Sequence, residues 1–125
     1  MFVVDSKRYR GLIEVKGRGG LFSSDERLLV GRRDCSHLVE NMGWQVEAVR
    51  AVLGRAGAQF VAVPVTPVLC FIDGEWPLLF PPSSYRGVRL EGPRSVKRLV
   101  TSNSVLSQDE IIELAAIIAT QLPPK

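Results

Sequence analysis

The apolar positions of the chain recur with two different periods. MFVVD reads as an apolar strand from the first residue, and GLIEVKG, after a short basic turn, alternates like a half-buried strand between Gly11 and Gly17. The two read as a hairpin. RLLVG follows as a third strand, beyond loops around Leu21-Phe22. At Asp34, a residue suited to an N-cap, the period becomes helical. In CSHLVENMGWQVEAVRAVLGRAG, the residues Leu38, Met42, Val46, Val49 and Leu53 form one stripe at about 100° per residue. Gly43 is a weak point inside this helix, which is expected to end between Gly54 and Gly57.

QFVAVPV and PVLCFIDG are two further β-rich runs, broken by Pro64 and Pro67, and the second is the better buried strand. LLFPPSSYRG is a Pro-rich loop and GVRLEG a short strand. Pro93 suits the first turn of a brief helix through Val100. Ser107-Gln108-Asp109-Glu110 is a capping box opening a last helix over residues 107–122, which Pro123-Pro124 stops. Strands, a long helix, more strands and two helices predict an α/β fold, with a central mixed β-sheet flanked by helices.

Composition narrows this picture without changing it. At 125 residues the chain holds one small domain, residues 1–125. Apolar residues at 46% and charged ones at 23% describe an ordinary globular chain. A net charge of +3 permits an anionic partner without requiring one. Its distribution says more: Lys7, Arg8, Arg10, Lys16 and Arg18 crowd the start, and Arg32-Arg33 follow. Cys35 and Cys70 form no C-x-x-C and read as buried thiols in a reducing cytoplasm. The apolar run IIELAAIIATQL contains Glu113 and is too short to span a bilayer, so no membrane insertion is expected.

Two acid-x-Lys triplets carry the candidate chemistry: Asp5-Ser6-Lys7 and Glu14-Val15-Lys16. An acid and a lysine two apart on a strand share a face. Metal-dependent phosphodiester hydrolysis needs such a pair, the acid for the cation and the ammonium for charge growing on the phosphoryl oxygens. Gln45 falls within the apolar stripe of the long helix. A buried amide without partners costs on the order of 1–3 kcal/mol, so it bonds a backbone group or reaches the acidic end of the hairpin. If the hairpin forms, Asp5 and Glu14 lie within about 5.5 Å across the two strands and share one ion, a composite site.

FVVDSKRYRG, a long helix with WQVEAVRAVL, then VPVTPVLCFIDGEWPLL and YRGVRL together resemble the nuclease-related domain (NERD) of bacteria, over residues 1–100. The most specific elements are D-x-K-x-Y-x-G, Asp5 to Gly11, and the strand ending CFIDGEW. The family is similar to the PD-(D/E)xK nuclease superfamily. The resemblance implies a restriction-endonuclease-like core, Mg²⁺ or Mn²⁺ as cofactor, and DNA as substrate. It implies Asp5 as the metal-binding acid, Lys7 as the phosphate or water partner and Gln45 as the helical glutamine. Tyr9 and Gly11 complete the signature. Arg8, Arg10, Lys16 and Arg18 are then the candidate nucleic-acid contacts.

The family places a glutamate helix and a strand with a further metal-binding aspartate before its D-x-K strand. This sequence starts at Met1, within that D-x-K strand, without those two elements. The expectation is therefore an N-terminally truncated core, a sheet edge open to pairing with another chain, and an Asp5 that lacks its second acid unless Glu14 supplies it. A non-catalytic nucleic-acid-binding or protein-interaction remnant is the alternative. GRGG lacks the Gly-Lys-Ser/Thr of a phosphate loop, and His37, the sole histidine, suits a surface or capping role.

Overall fold

The computed structural model describes residues 1–17, 26–102 and 106–122. Its first strand finds a partner far along the chain. β1 (Phe2–Lys7) runs parallel to β5 (Thr66–Phe71), with Asp5 opposite Leu69 and Lys7 opposite Phe71. It does not pair with β2 (Gly11–Gly17), so the expected hairpin is not formed. The reason lies in Arg8-Tyr9-Arg10. That stretch has no Gly or Asn pair to reverse the chain tightly, and burial keeps alternating through it as in a strand. β2 pairs instead with β3 (Glu26–Val30), antiparallel, and with β6 (Gly74–Glu75), parallel.

The remaining short strands are β4 (Arg33–Asp34), β7 (Ser84–Tyr85) and β8 (Val88–Glu91). The fold is α/β with mixed strand directions, but in two four-stranded sheets, β1-β5-β8-β7 and β4-β3-β2-β6, rather than one central sheet. β1 is an edge strand, with β5 its one strand partner among the described residues.

α1 (His37–Ala56) carries the stripe read from the sequence: Leu38, Met42 and Leu53 are buried and Val46 and Val49 half-buried. Asp34 does not cap it. It lies in β4, and its Oδ1 accepts the Ser36 N–H at 2.9 Å, while Ser36 Oγ accepts the Leu28 N–H at 3.0 Å. These two bonds lock the β3–β4 hairpin to the start of α1. The segment QFVAVPV is not a strand. Gly57, at φ 146°, ends α1, and α2 (Ala58–Val61) buries Phe60 in a single turn. A short apolar run fits either element by periodicity alone, and Pro64 removes an N–H a ladder would need.

α3 (Pro93–Ser102) starts at proline as expected, and α4 (Gln108–Gln121) has both arms of its capping box. Glu110 N–H donates to Ser107 Oγ at 3.2 Å, and Ser107 N–H to Glu110 Oε1 at 3.1 Å.

α1 ties two apolar clusters together. Its first half packs Leu38 and Met42 with Ile13, Leu28, Leu69, Phe71 and Leu90 from both sheets. Its second half packs Leu53 with Phe60, Val63 and Leu114 of α4. Tyr85 crosses from one sheet to the other, its OH donating to the Glu26 carbonyl at 2.7 Å. No described helix is long and apolar enough to cross a membrane.

Candidate functional site on the first strand

Alternation along β1 turns Asp5 and Lys7 to one side, half-buried, while Val4 and Ser6 are exposed on the other. α1 packs over the Asp5 side. Its stripe does not bury Gln45, which is exposed at the rim of the helix. From there the Gln45 Nε2 donates to Asp5 Oδ2 at 3.2 Å, across 40 residues of chain. Lys7 Nζ lies 3.5 Å from the same oxygen. Of the two partners left open for Gln45, the acid is the one it meets. Asp5 Oδ1 accepts no hydrogen bond from a described residue.

Asp5, Lys7 and Gln45 therefore converge, at side-chain exposures of 20% for the acid and 27% for the lysine. That leaves both charged groups reachable from solvent. A pair this exposed contributes about 0–1 kcal/mol to folding, so stability is a weak reason for the arrangement. Chemically it offers an ammonium beside a carboxylate whose second oxygen is open. Such an ammonium can offset charge on a phosphoryl group. Among the described residues, none of three cavities found elsewhere on the surface is lined by Asp5, Lys7 or Gln45.

Glu14 does not join them. β2 belongs to the other sheet, and Glu14 is ion-paired with Lys16 at 3.1 Å on its own strand. The composite site rested on a β1–β2 hairpin, and without that pairing Glu14 is no cross-strand neighbour of Asp5.

The expected basic residues also divide. Lys16 is spent on Glu14, Arg18 lies outside the described residues, and Arg8 and Arg10 are exposed on the side away from Lys7 and Tyr9. Arg33 was part of the basic pattern but carried no assignment. The structure brings it to Arg8 and Arg10, around one polar cavity. Its signal was the Gly31-Arg32 turn, which returns the chain so that Arg33 pairs with Val30.

The Mg²⁺ or Mn²⁺ implied by the resemblance does not fit these residues alone. Mg²⁺ is held through one or two carboxylates plus substrate phosphates in near-octahedral geometry. Asp5 is one carboxylate, and among the described residues no three His, Cys, Asp or Glu side chains converge. Cys35 and Cys70 are buried free thiols, pushed up by burial, and His37 is exposed at the start of α1.

Compared with known proteins, the chain matches no family model, no curated protein and no solved structure.

Proposed function

We propose that the chain is a nuclease-related domain directed at DNA phosphodiesters, with Asp5, Lys7 and Gln45 as its central group. The supporting observation is the hydrogen bond from Gln45 to Asp5. It brings a glutamine of the helix after the acid-x-Lys strand onto that acid, uniting the residues the NERD resemblance singles out. On this reading β1, α1 and β5 are the strand–helix–strand part of a restriction-endonuclease-like core. Lys7 Nζ faces the phosphoryl oxygens and offsets the charge that grows there as water attacks. Gln45 holds the Asp5 carboxylate in place, and Asp5 Oδ1 stays available to the reacting groups.

The edge of β1, unpaired among the described residues, is where the second acid could enter. A strand from another chain, added beside β1, would set side chains about 4.5–5.5 Å from Asp5, close enough to bring a second carboxylate. The test is incubation of supercoiled and linear duplex DNA with the purified chain and Mg²⁺ or Mn²⁺. The proposal expects strand cleavage that chelation stops.

A second reading, a non-catalytic DNA-binding module, is favoured by the single carboxylate at the site. It expects DNA binding that weakens steeply with salt and no cleavage under any divalent ion. The same incubation, with binding followed in parallel, separates the two.

A further inference from the structure

The arginines that do not serve the Asp5 face meet elsewhere. Gly11 follows Arg10 at φ 122°, in close contact with the Gly31 backbone: an added Cβ would collide with Gly31 Cα and lie 2.7 Å from Gly31 N. Only glycine allows that approach. Gly31 and Arg32 are themselves both at positive φ, 59° and 68°, the left-handed pattern of a tight two-residue hairpin turn. The turn sends Arg33 back alongside Val30. Arg8 and Arg10 come from the stretch after β1 and Arg33 from β4, just beyond the turn, and all three are among the residues lining a cavity of about 240 Å³, with Tyr9 and Gly31.

Nothing described in the chain neutralises them. Lys7, Lys16, Arg27 and Arg89 each have a carboxylate partner, whereas Arg8, Arg10 and Arg33 have no ion pair among the described residues. The adjacent acid, Asp34, is taken by Arg27 and the Ser36 N–H. Cys35 also lines the cavity, and burial holds its thiol in the neutral form despite the nearby Arg33 charge. Three arginines among the residues lining one hollow concentrate positive charge there, which an anion would offset.

We propose that this cavity binds a phosphate group through Arg8, Arg10 and Arg33. Planar guanidiniums suit phosphate because each can donate two parallel hydrogen bonds to its oxygens. The cavity is smaller than the roughly 300–1,000 Å³ of pockets that enclose whole small molecules. It therefore takes the phosphate itself and leaves the rest of the ligand outside. The ligand is either a strand of nucleic acid or a free phosphorylated small molecule. The assignment is independent of the proposed nuclease activity, because Arg8 and Arg10 project away from the Asp5–Lys7 face.

Calorimetric titration of the full chain with inorganic phosphate tests it, with no cleavage assay involved. Saturable binding is expected, weakened roughly tenfold or more in Arg33→Met, and also in Arg33→Lys, which keeps the charge but loses the two-pronged donor. Lys97→Met, at an exposed position on α3, controls for net charge and should bind like the parent. Circular dichroism confirms that each variant is folded. A single-stranded oligonucleotide with and without a 5′-phosphate identifies the source: binding of either assigns a nucleic-acid strand, held by its terminus where the 5′-phosphate strengthens it, and binding of neither, with inorganic phosphate still bound, assigns a free phosphorylated molecule. Absence of saturable phosphate binding, or equal weakening by Lys97→Met and Arg33→Met, would overturn the proposal.

Discussion

The two sides of the first strand and its continuation solve opposite electrostatic problems. On one side a lysine and an acid lie together, and a glutamine from α1 fixes the acid. That cluster is internally neutral and needs no ligand to be stable. On the other, Arg8 and Arg10 line a cavity together with Arg33 of β4, and none of the three has an ion-pair partner among the described residues. On the proposals above, one side acts on a charge and the other holds one. The same short run, Asp5 to Gly11, feeds both because strand alternation sends its acid and lysine one way and its arginines the other.

Three perturbations sharpen the contrast. Gly11→Ala should have the largest effect, since the new Cβ meets the Gly31 backbone at a φ of 122°. A loss on the order of 3 kcal/mol is expected from the strained backbone and the clash, read as a lower urea midpoint. If the midpoint were unchanged, the close approach that builds the arginine cavity would not exist.

Asp34→Asn should act on the same side with a smaller effect that depends on pH. Hydrogen bonds from Ser36 and the Arg27 guanidinium hold the Asp34 carboxyl well below its usual range. A depressed folded-state pKa gives stability that is complete above the unfolded value of 3.8 and declines as pH falls below it. The gap in urea midpoint between parent and variant should be widest near neutral pH and begin to narrow as pH falls below 3.8. Solvent exposure of the pair keeps that gap modest. A gap that widened on acidification would contradict this role.

The smallest effect belongs to the Asp5–Lys7 pair. A double-mutant cycle of Asp5→Asn and Lys7→Met should return a coupling of only about 0.2–1 kcal/mol. A coupling of several kcal/mol would mean that the pair is a structural ion pair and not a site kept reachable from solvent.

Much of this was legible residue by residue. The α1 stripe, the Ser107 capping box, the proline start of α3 and the shared face of Asp5 and Lys7 all follow from local rules, and each is present. The pairing of β1 was not legible. Adjacent strands are the natural partners when a turn reverses the chain, but Arg8-Tyr9-Arg10 carries it onward, and β1 pairs with a strand some sixty residues later. With the hairpin went the composite Asp5–Glu14 site. β4, β6 and β7 are two residues long, too short to leave a period. Of the two partners expected for Gln45 it meets the acid, but it does so from an exposed position and not from within the buried stripe. Arg33 depended on a turn whose residues were visible but whose neighbour across the sheets was not.

The central claim is that Lys7 faces a phosphodiester beside Asp5. Mg²⁺-dependent cleavage of duplex DNA by the full chain, compared with Lys7→Ala prepared identically and shown to be folded, tests it most directly. The account predicts that cleavage falls to background in Lys7→Ala. Cleavage by the variant at the parent rate would contradict it.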